Sequence, residues 1–330
     1  MSAVLQAQGE ISFLHYSLLL PARLRSGPVE ERNVQISQTF ELTSNPDGPP
    51  ESLEWLFDGS HGRNCFAVLD AASLPNLPEL LSVSDQQFDC LFRGKARSDL
   101  ANVAPWILRL DPTSRFTQRL WIQGTAPWQL GGKFRGLLLS SDDSIGQVTQ
   151  HFRRLTRIRR ADADEWMFFR FYNPHTIAAI APHLTRQEAA SILGSYVIAG
   201  VDGLASATFR AKEAEGPARI SPQPFLLRNE HIRAMAEYEG QRFSRLLEED
   251  VRGERPDLSA DMIERLVTSG LDLCANVGLQ QKDSIAGYVL LSAYLGADFP
   301  LRHPPLASIV DPLRPERERK TLIHARLKGI

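Results

Sequence analysis

The chain has 330 residues, 43% of them apolar, and a formal net charge of -2 from 37 lysines and arginines against 39 aspartates and glutamates. This length allows one large or two ordinary domains with a buried core, and the charge balance excludes a whole-chain attraction to nucleic acid or to an anionic membrane. The three cysteines, Cys65, Cys90 and Cys274, are odd in number, far apart and set among apolar neighbours, which fits buried thiols in a reducing compartment better than a disulfide framework.

In chain order, residues 1–60 read as a strand-bearing extension and linker. Strand-like pieces cover 11–20 and 34–42, and a turn-rich stretch follows at 43–50. Residues 13–20 are too short and too polar to span a bilayer, and no basic start with a cleavage site opens the chain, so a cytoplasmic protein is expected, without membrane insertion. Residues 61–200 form an α/β domain with a mixed sheet: short apolar runs at 65–69, 88–92, 106–110 and 134–139 alternate with polar helical stretches. The side-chain oxygens of residues 141–144 start a helix that continues through Ile145, Val148, Phe152 and Leu155, and the acids Asp142 and Asp143 are expected to cap it.

Residues 156–160 and 166–172 then read as a hairpin around a short acidic turn. Alternation along its second strand puts Trp166, Phe168, Arg170 and Tyr172 on one face and Met167, Phe169, Phe171 and Asn173 on the other. This strand reads as buried, most of the aromatics as core, and its end as a turn that presents Arg170, Tyr172 and Asn173. Arg170, if buried, needs an acceptor such as Asp111 or a backbone carbonyl. Pro174 opens a further helix with Ile177, Ile180 and Leu184 on one face. Residues 201–228 form a loop-rich connector with a turn at 212–217. Residues 229–330 form a helical lobe, with periodic helices over 231–252, 259–277 and 282–295, caps at Asp257 or Ser259 and at Asp283, and stops at Gly278 and Gly296.

Chemistry is sparse. No Gly-x-Ser-x-Gly, His-x-x-x-His or Cys-x-x-Cys occurs, and residues 131–133 lack the rest of a phosphate loop, so no catalytic residue, metal ligand or cofactor site is expected. The sharpest charge feature is the run Arg153, Arg154, Arg157, Arg159 and Arg160. It reads either as a solvated basic edge or as a face for an acidic partner. A nucleic-acid patch would normally add exposed aromatics for stacking. Trp128, in a Gly-Thr-Ala-Pro-Trp turn, is a further candidate anchor. A rival reading is a hydrolase that uses strand-end carboxylates such as Asp70 and Asp111.

Several segments together carry a resemblance: Val68-Leu69-Asp70, Cys90-Leu91-Phe92, residues 104–111, Phe152-Arg153-Arg154-Leu155 and residues 169–174. In this order they resemble the adaptor family encoded beside bacterial type VI secretion spike genes, the Tap or TEC chaperones. The resemblance covers 65–199, and the helical tail from Phe225 is similar to an extension many members carry. Asn173 stands where members usually have an acid. The resemblance implies a non-enzymatic adaptor that holds a secreted toxic effector and helps load it onto its cognate VgrG spike, itself staying in the cytoplasm. Combined with the residues above, it makes Arg170, Tyr172, Asn173, Trp128, Arg153, Arg157 and Arg159 the expected partner-binding residues, and the junction of the two lobes an expected cradle.

Overall fold

The computed structural model describes residues 34–36, 40–41, 49–57, 63–163, 165–203, 205–211 and 224–330. The expected strand at 11–20, most of the turn-rich stretch 43–50 and the 212–217 turn lie outside them. The chain divides into two compact units, one of residues 27–235 and one holding residues 236–330.

The first unit is built on β3 (Asn64–Asp70), whose apolar run is buried along both faces, as a strand in the middle of a covered sheet requires. Its neighbours are β5 (Pro105–Leu110) and β6 (Arg135–Ser141), both antiparallel to it. Beyond β5 lies β4 (Phe88–Cys90). Beyond β6 come β9 (Val197–Asp202) and β10 (Ala205–Ala211), the latter carrying β1 (Val34–Ile36) and β2 (Phe40–Glu41). The eight-stranded sheet thus has the order β1-β10-β9-β6-β3-β5-β4, with β2 also on β10, and is antiparallel at every pairing. It extends past Ala199, because residues 205–211, expected as connector, supply β10. Mixed pairing is confined to a three-stranded sheet in which β7 (Arg157–Arg160) lies parallel to β11 (Leu226–Leu227) and antiparallel to β8 (Trp166–Phe168).

Side chains alternate along β3 between two cores. Phe66 and Val68 join Leu137, Leu139, Ile198 and Phe209 under α4 (Ile145–Arg153), α5 (Pro174–Ile180) and α6 (Arg186–Leu193). Cys65, Ala67 and Leu69 join Trp106, Leu108 and Leu138 beneath α1 (Leu77–Ser82), α3 (Arg115–Trp121) and the 3-10 turn Glu51–Leu56. The remaining helix of this face, α2 (Gly94–Leu100), has no fully buried residue. Helix α4 starts with a capping box in which Ser144 Oγ accepts from Gln147 N and the Gln147 side chain returns to Ser144 N. The cap is therefore Ser144 and not the acid pair. Asp143 instead accepts a hydrogen bond from the Tyr196 hydroxyl at 2.7 Å, and Asp142 pairs with Arg63 at 3.7 Å. All three cysteines are buried, and burial pushes the Cys65 and Cys274 thiols up to about 12.

In the second unit, α7 (Asn229–Glu254), which begins in the first unit, leads to α8 (Ala260–Asn276), α9 (Lys282–Leu295), α10 (Phe299–Arg302) and α11 (Glu316–Leu327). Ser259 caps α8, whereas Asp257 pairs with Arg255 at 2.6 Å. Gly278 and Gly296 follow α8 and α9 with φ of 68° and 90°, the left-handed geometry that favours glycine at a helix end. Helix α9 is apolar around most of its circumference and runs through the middle of this core, with α8 and α11 packed on it. Helix α11 adds to the three helices expected from periodicity, because its sequence is mostly charged and only Arg319 and Ile323 are buried.

Two expected outcomes test this architecture. A Cβ added at Gly136 on β6 would lie 2.1 Å from the Val68 carbonyl oxygen, so Gly136→Ala should lower stability in urea by about 2–3 kcal/mol through forced backbone movement. His151, buried on α4, has Nε2 at 2.9 Å from the Ile192 carbonyl oxygen and Nδ1 at 3.0 Å from the Arg154 guanidinium. Nε2 must therefore donate and Nδ1 accept, which fixes the neutral ring. Burial, with Arg154 acting in the same direction against Asp143 and the Ile192 carbonyl, holds its pKa below the ordinary 6.5. The unfolded chain then takes up a proton before the folded one, so this contribution is complete above pH 6.5 and is lost as pH falls below it, by up to about 1.4 kcal/mol per pH unit. Melting temperature should decline between pH 7 and 5.5, with a shallower decline in His151→Gln.

Candidate functional site: an arginine and aromatic surface

The hairpin forms as expected, but its second strand stops at Phe168 instead of reaching Tyr172. After Phe169 N donates to the Thr156 carbonyl, a turn closes with Asn173 N donating to Arg170 O at 3.0 Å. The chain then dives inward. Phe169, Phe171 and Tyr172 are buried, and Phe171 stacks on Phe152 with centroids 5.3 Å apart.

That geometry redistributes the expected binding residues. Tyr172 is 4% exposed and its ring belongs to the core; burial, reinforced by the Asp70 carboxylate, pushes its hydroxyl up to about 12. A partner cannot reach it in this surface. Asn173 caps α5, its Oδ1 accepting from His175 N at 3.0 Å, so the amide does there what an acid would do. Arg170 donates to Asp70 Oδ2 at 2.6 Å, and that carboxylate is almost fully buried. The acceptor is thus Asp70 and not Asp111, whose own carboxylate accepts from Thr113 N and Oγ1. Arg153 donates to Asp89 Oδ2 at 2.6 Å and to the Cys90 carbonyl at 2.8 Å, tying α4 to β4. These side chains hold the first unit together.

The strand-end acids of the rival reading do not meet. Asp70 pairs with Pro105 and Cys65 with Leu110, so Asp111 lies at the other end of β5, about 20 Å away at 3.4 Å per residue. At the Asp70 end, Asp202 joins two side chains, with Arg135 Nε 2.5 Å from Oδ1 and His175 Nε2 2.5 Å from Oδ2. These contacts fasten the start of α5 to β6 and β9.

What remains at the surface is one face of the three-stranded sheet. Ile158, Leu227 and Met167 turn toward the core. Arg157, Arg159, Trp166, Phe168 and Leu226 turn outward, the last three being 53%, 52% and 41% exposed. Register brings them together: Arg157 lies opposite Phe168, and Arg159 lies between Trp166 and Leu226. The guanidinium carbons of Arg157 and Arg159 stand 5.2 and 5.8 Å from the Trp166 ring centroid, which contributes about 0.5–1 kcal/mol per pair at an exposed site. The Phe168 ring rests on Phe92 at 5.3 Å. Arg160 is neutralised by Asp162 at 2.7 Å, an ion pair that holds the Asp162 carboxyl below its ordinary range.

Trp166 and Phe168, which alternation places in a buried strand, are therefore surface residues, and Leu226, expected in the connector, joins them. The register sets residues 159 and 157 against 166 and 168, a signal already in the spacing of the two runs. Trp128 is 48% exposed, but on the loop between α3 and β6. Among the described residues no group of histidines, cysteines and acids is placed to hold a metal ion, and no helix is long and apolar enough to cross a membrane.

Residues 65–191, from β3 to α6, match a protein family described as a domain of unknown function, DUF4123. That family is associated with type VI secretion effector adaptors, and the match is consistent with such a role in general. No curated protein and no solved structure matches the chain.

The two classes of arginine should separate on mutation. Arg170→Ala leaves the Asp70 carboxylate buried without its cation and is expected to cost about 2–3 kcal/mol in urea unfolding. Arg157→Ala and Arg159→Ala, which each lose only an exposed contact with the Trp166 ring, should cost no more than about 1 kcal/mol. Equal effects at all three positions would refute the division.

Proposed function

We propose that this protein is a non-enzymatic adaptor that holds a type VI secretion effector and helps load it onto its cognate VgrG spike, working in the bacterial cytoplasm without leaving with its cargo. The family match over residues 65–191 carries this reading. The arginine and aromatic face of the β11-β7-β8 sheet supplies a surface suited to it. Exposed tryptophan and arginine are the residue types that contribute most at protein interfaces, and here they are adjacent and pre-packed. Arg157 and Arg159 remain in the proposed interface. Trp166, Phe168 and Leu226 join them, and Arg153, Arg170, Tyr172 and Asn173 support the fold beneath.

The test is co-expression with the toxin and spike proteins encoded beside this chain, followed by affinity capture. The unaltered protein should retain the toxin. Arg157→Glu with Arg159→Glu, and separately Trp166→Ala, should weaken capture by about tenfold or more, as loss of an interface anchor does, while the melting temperature holds. Failure of the unaltered protein to retain either neighbour, or turnover of a small molecule abolished by one substitution, would remove the proposal.

A further inference from the structure

Among the described residues one edge of the hairpin has no neighbouring strand, β8 pairing with β7 on one side only. Arg160 N donates to Glu165 O and Phe169 N donates to Thr156 O, each at 3.1 Å. In the observed register these are hydrogen-bonded pairs, as is Ile158 with Met167 between them. Antiparallel alternation then makes the 157/168 and 159/166 pairs the non-bonded ones. The backbone N–H and C=O groups of Trp166 and Phe168 consequently point away from β7, toward the open side. The two residues with outward side chains are the same two that offer outward backbone groups.

We infer that this edge accepts an extended acidic segment of the partner as a fourth strand, with its carboxylates meeting Arg157 and Arg159 across the Trp166 ring. Main-chain bonds to Trp166 and Phe168 would supply the register, and alternate side chains the specificity. A strand added to β8 lies about 10 Å from β7, two strand spacings. Arg157 and Arg159 already reach out over the intervening indole, within 5.2 and 5.8 Å of its centroid, so a glutamate on the added strand can close the remaining gap. Charge selects the occupant: two guanidiniums over an indole favour carboxylates and repel a basic strand. The partner's identity rests on the adaptor reading, whereas the edge geometry does not.

The experiment selects random ten-residue peptides displayed on phage against the full-length protein, with the Arg157→Glu, Arg159→Glu protein present as competitor. Enriched peptides should carry Asp or Glu at every second position. Their affinity, read by fluorescence anisotropy, should fall by about tenfold or more on the double variant. Phe168→Pro removes only an N–H on the open side, so it should bind roughly three- to tenfold more weakly than Phe168→Ala, the loss of one hydrogen bond. N-methylation of the peptide amides that face β8 should abolish binding, and this arm leaves the protein unaltered. Peptides without acids, indifference to N-methylation, or equal binding by the proline and alanine variants would overturn the inference. So would sedimentation showing a dimer that Phe168→Pro separates, since the edge would then serve a second copy of the chain. Toxin captured normally by the double variant would sink this inference and leave the adaptor reading intact; no capture by any form would sink the adaptor reading.

Discussion

Burial of β3 on both faces is the constraint on which the first unit depends. Phe66 and Val68 face one core while Cys65, Ala67 and Leu69 face the other, so a register slip of one residue would exchange the two sets and mismatch both. Its neighbours must then be covered on both sides as well. The absence of side-chain volume at Gly136 lets β6 lie against the Val68 carbonyl at that point. Both faces of the large sheet are accordingly covered by the two cores.

The small sheet, by contrast, is covered on one face only. It lies over the core through Ile158, Met167 and Leu227 and keeps its opposite face open. The arginines that the sequence groups into one basic run have separate fates. Arg153 is pinned by Asp89 and the Cys90 carbonyl, Arg154 donates to His151, and Arg160 is held by Asp162. Arg157 and Arg159 project on the aromatic side of the hairpin. Within β7, the alternation of a strand separates the outward Arg157 and Arg159 from Ile158 and Arg160.

Much of the α/β unit was legible beforehand because its strands are short apolar runs between helix caps, and β3, β5, β6 and α4 fall where periodicity puts them. Strand β10 was not, since residues 205–211 hold only one large apolar residue, Phe209, among alanines and polar residues, and gain their place by pairing with β9, β1 and β2. Helix α11 escaped for a similar reason, its charged residues masking the few aliphatic ones, Leu322, Ile323 and Leu327, that pack on the core around α9. The candidate surface was half visible: Arg157 and Arg159 stood out as charge, while Trp166 and Phe168 were counted as core because large aromatics usually are.

By itself, the sequence determined that there would be a covered sheet followed by helices, where α4 starts, and that a hairpin would bring arginines and aromatics into one neighbourhood. These follow from local patterning, in which each residue acts on neighbours within a few positions. Tertiary structure alone decided which member of each alternating pair meets solvent, because that depends on which side of the hairpin the Phe152 and Phe171 core occupies. It also decided that Arg170, itself half-buried, answers the buried carboxylate of Asp70, a residue one hundred positions away. No periodicity encodes that pairing, since it exists only once β3 and the turn after β8 have been brought together.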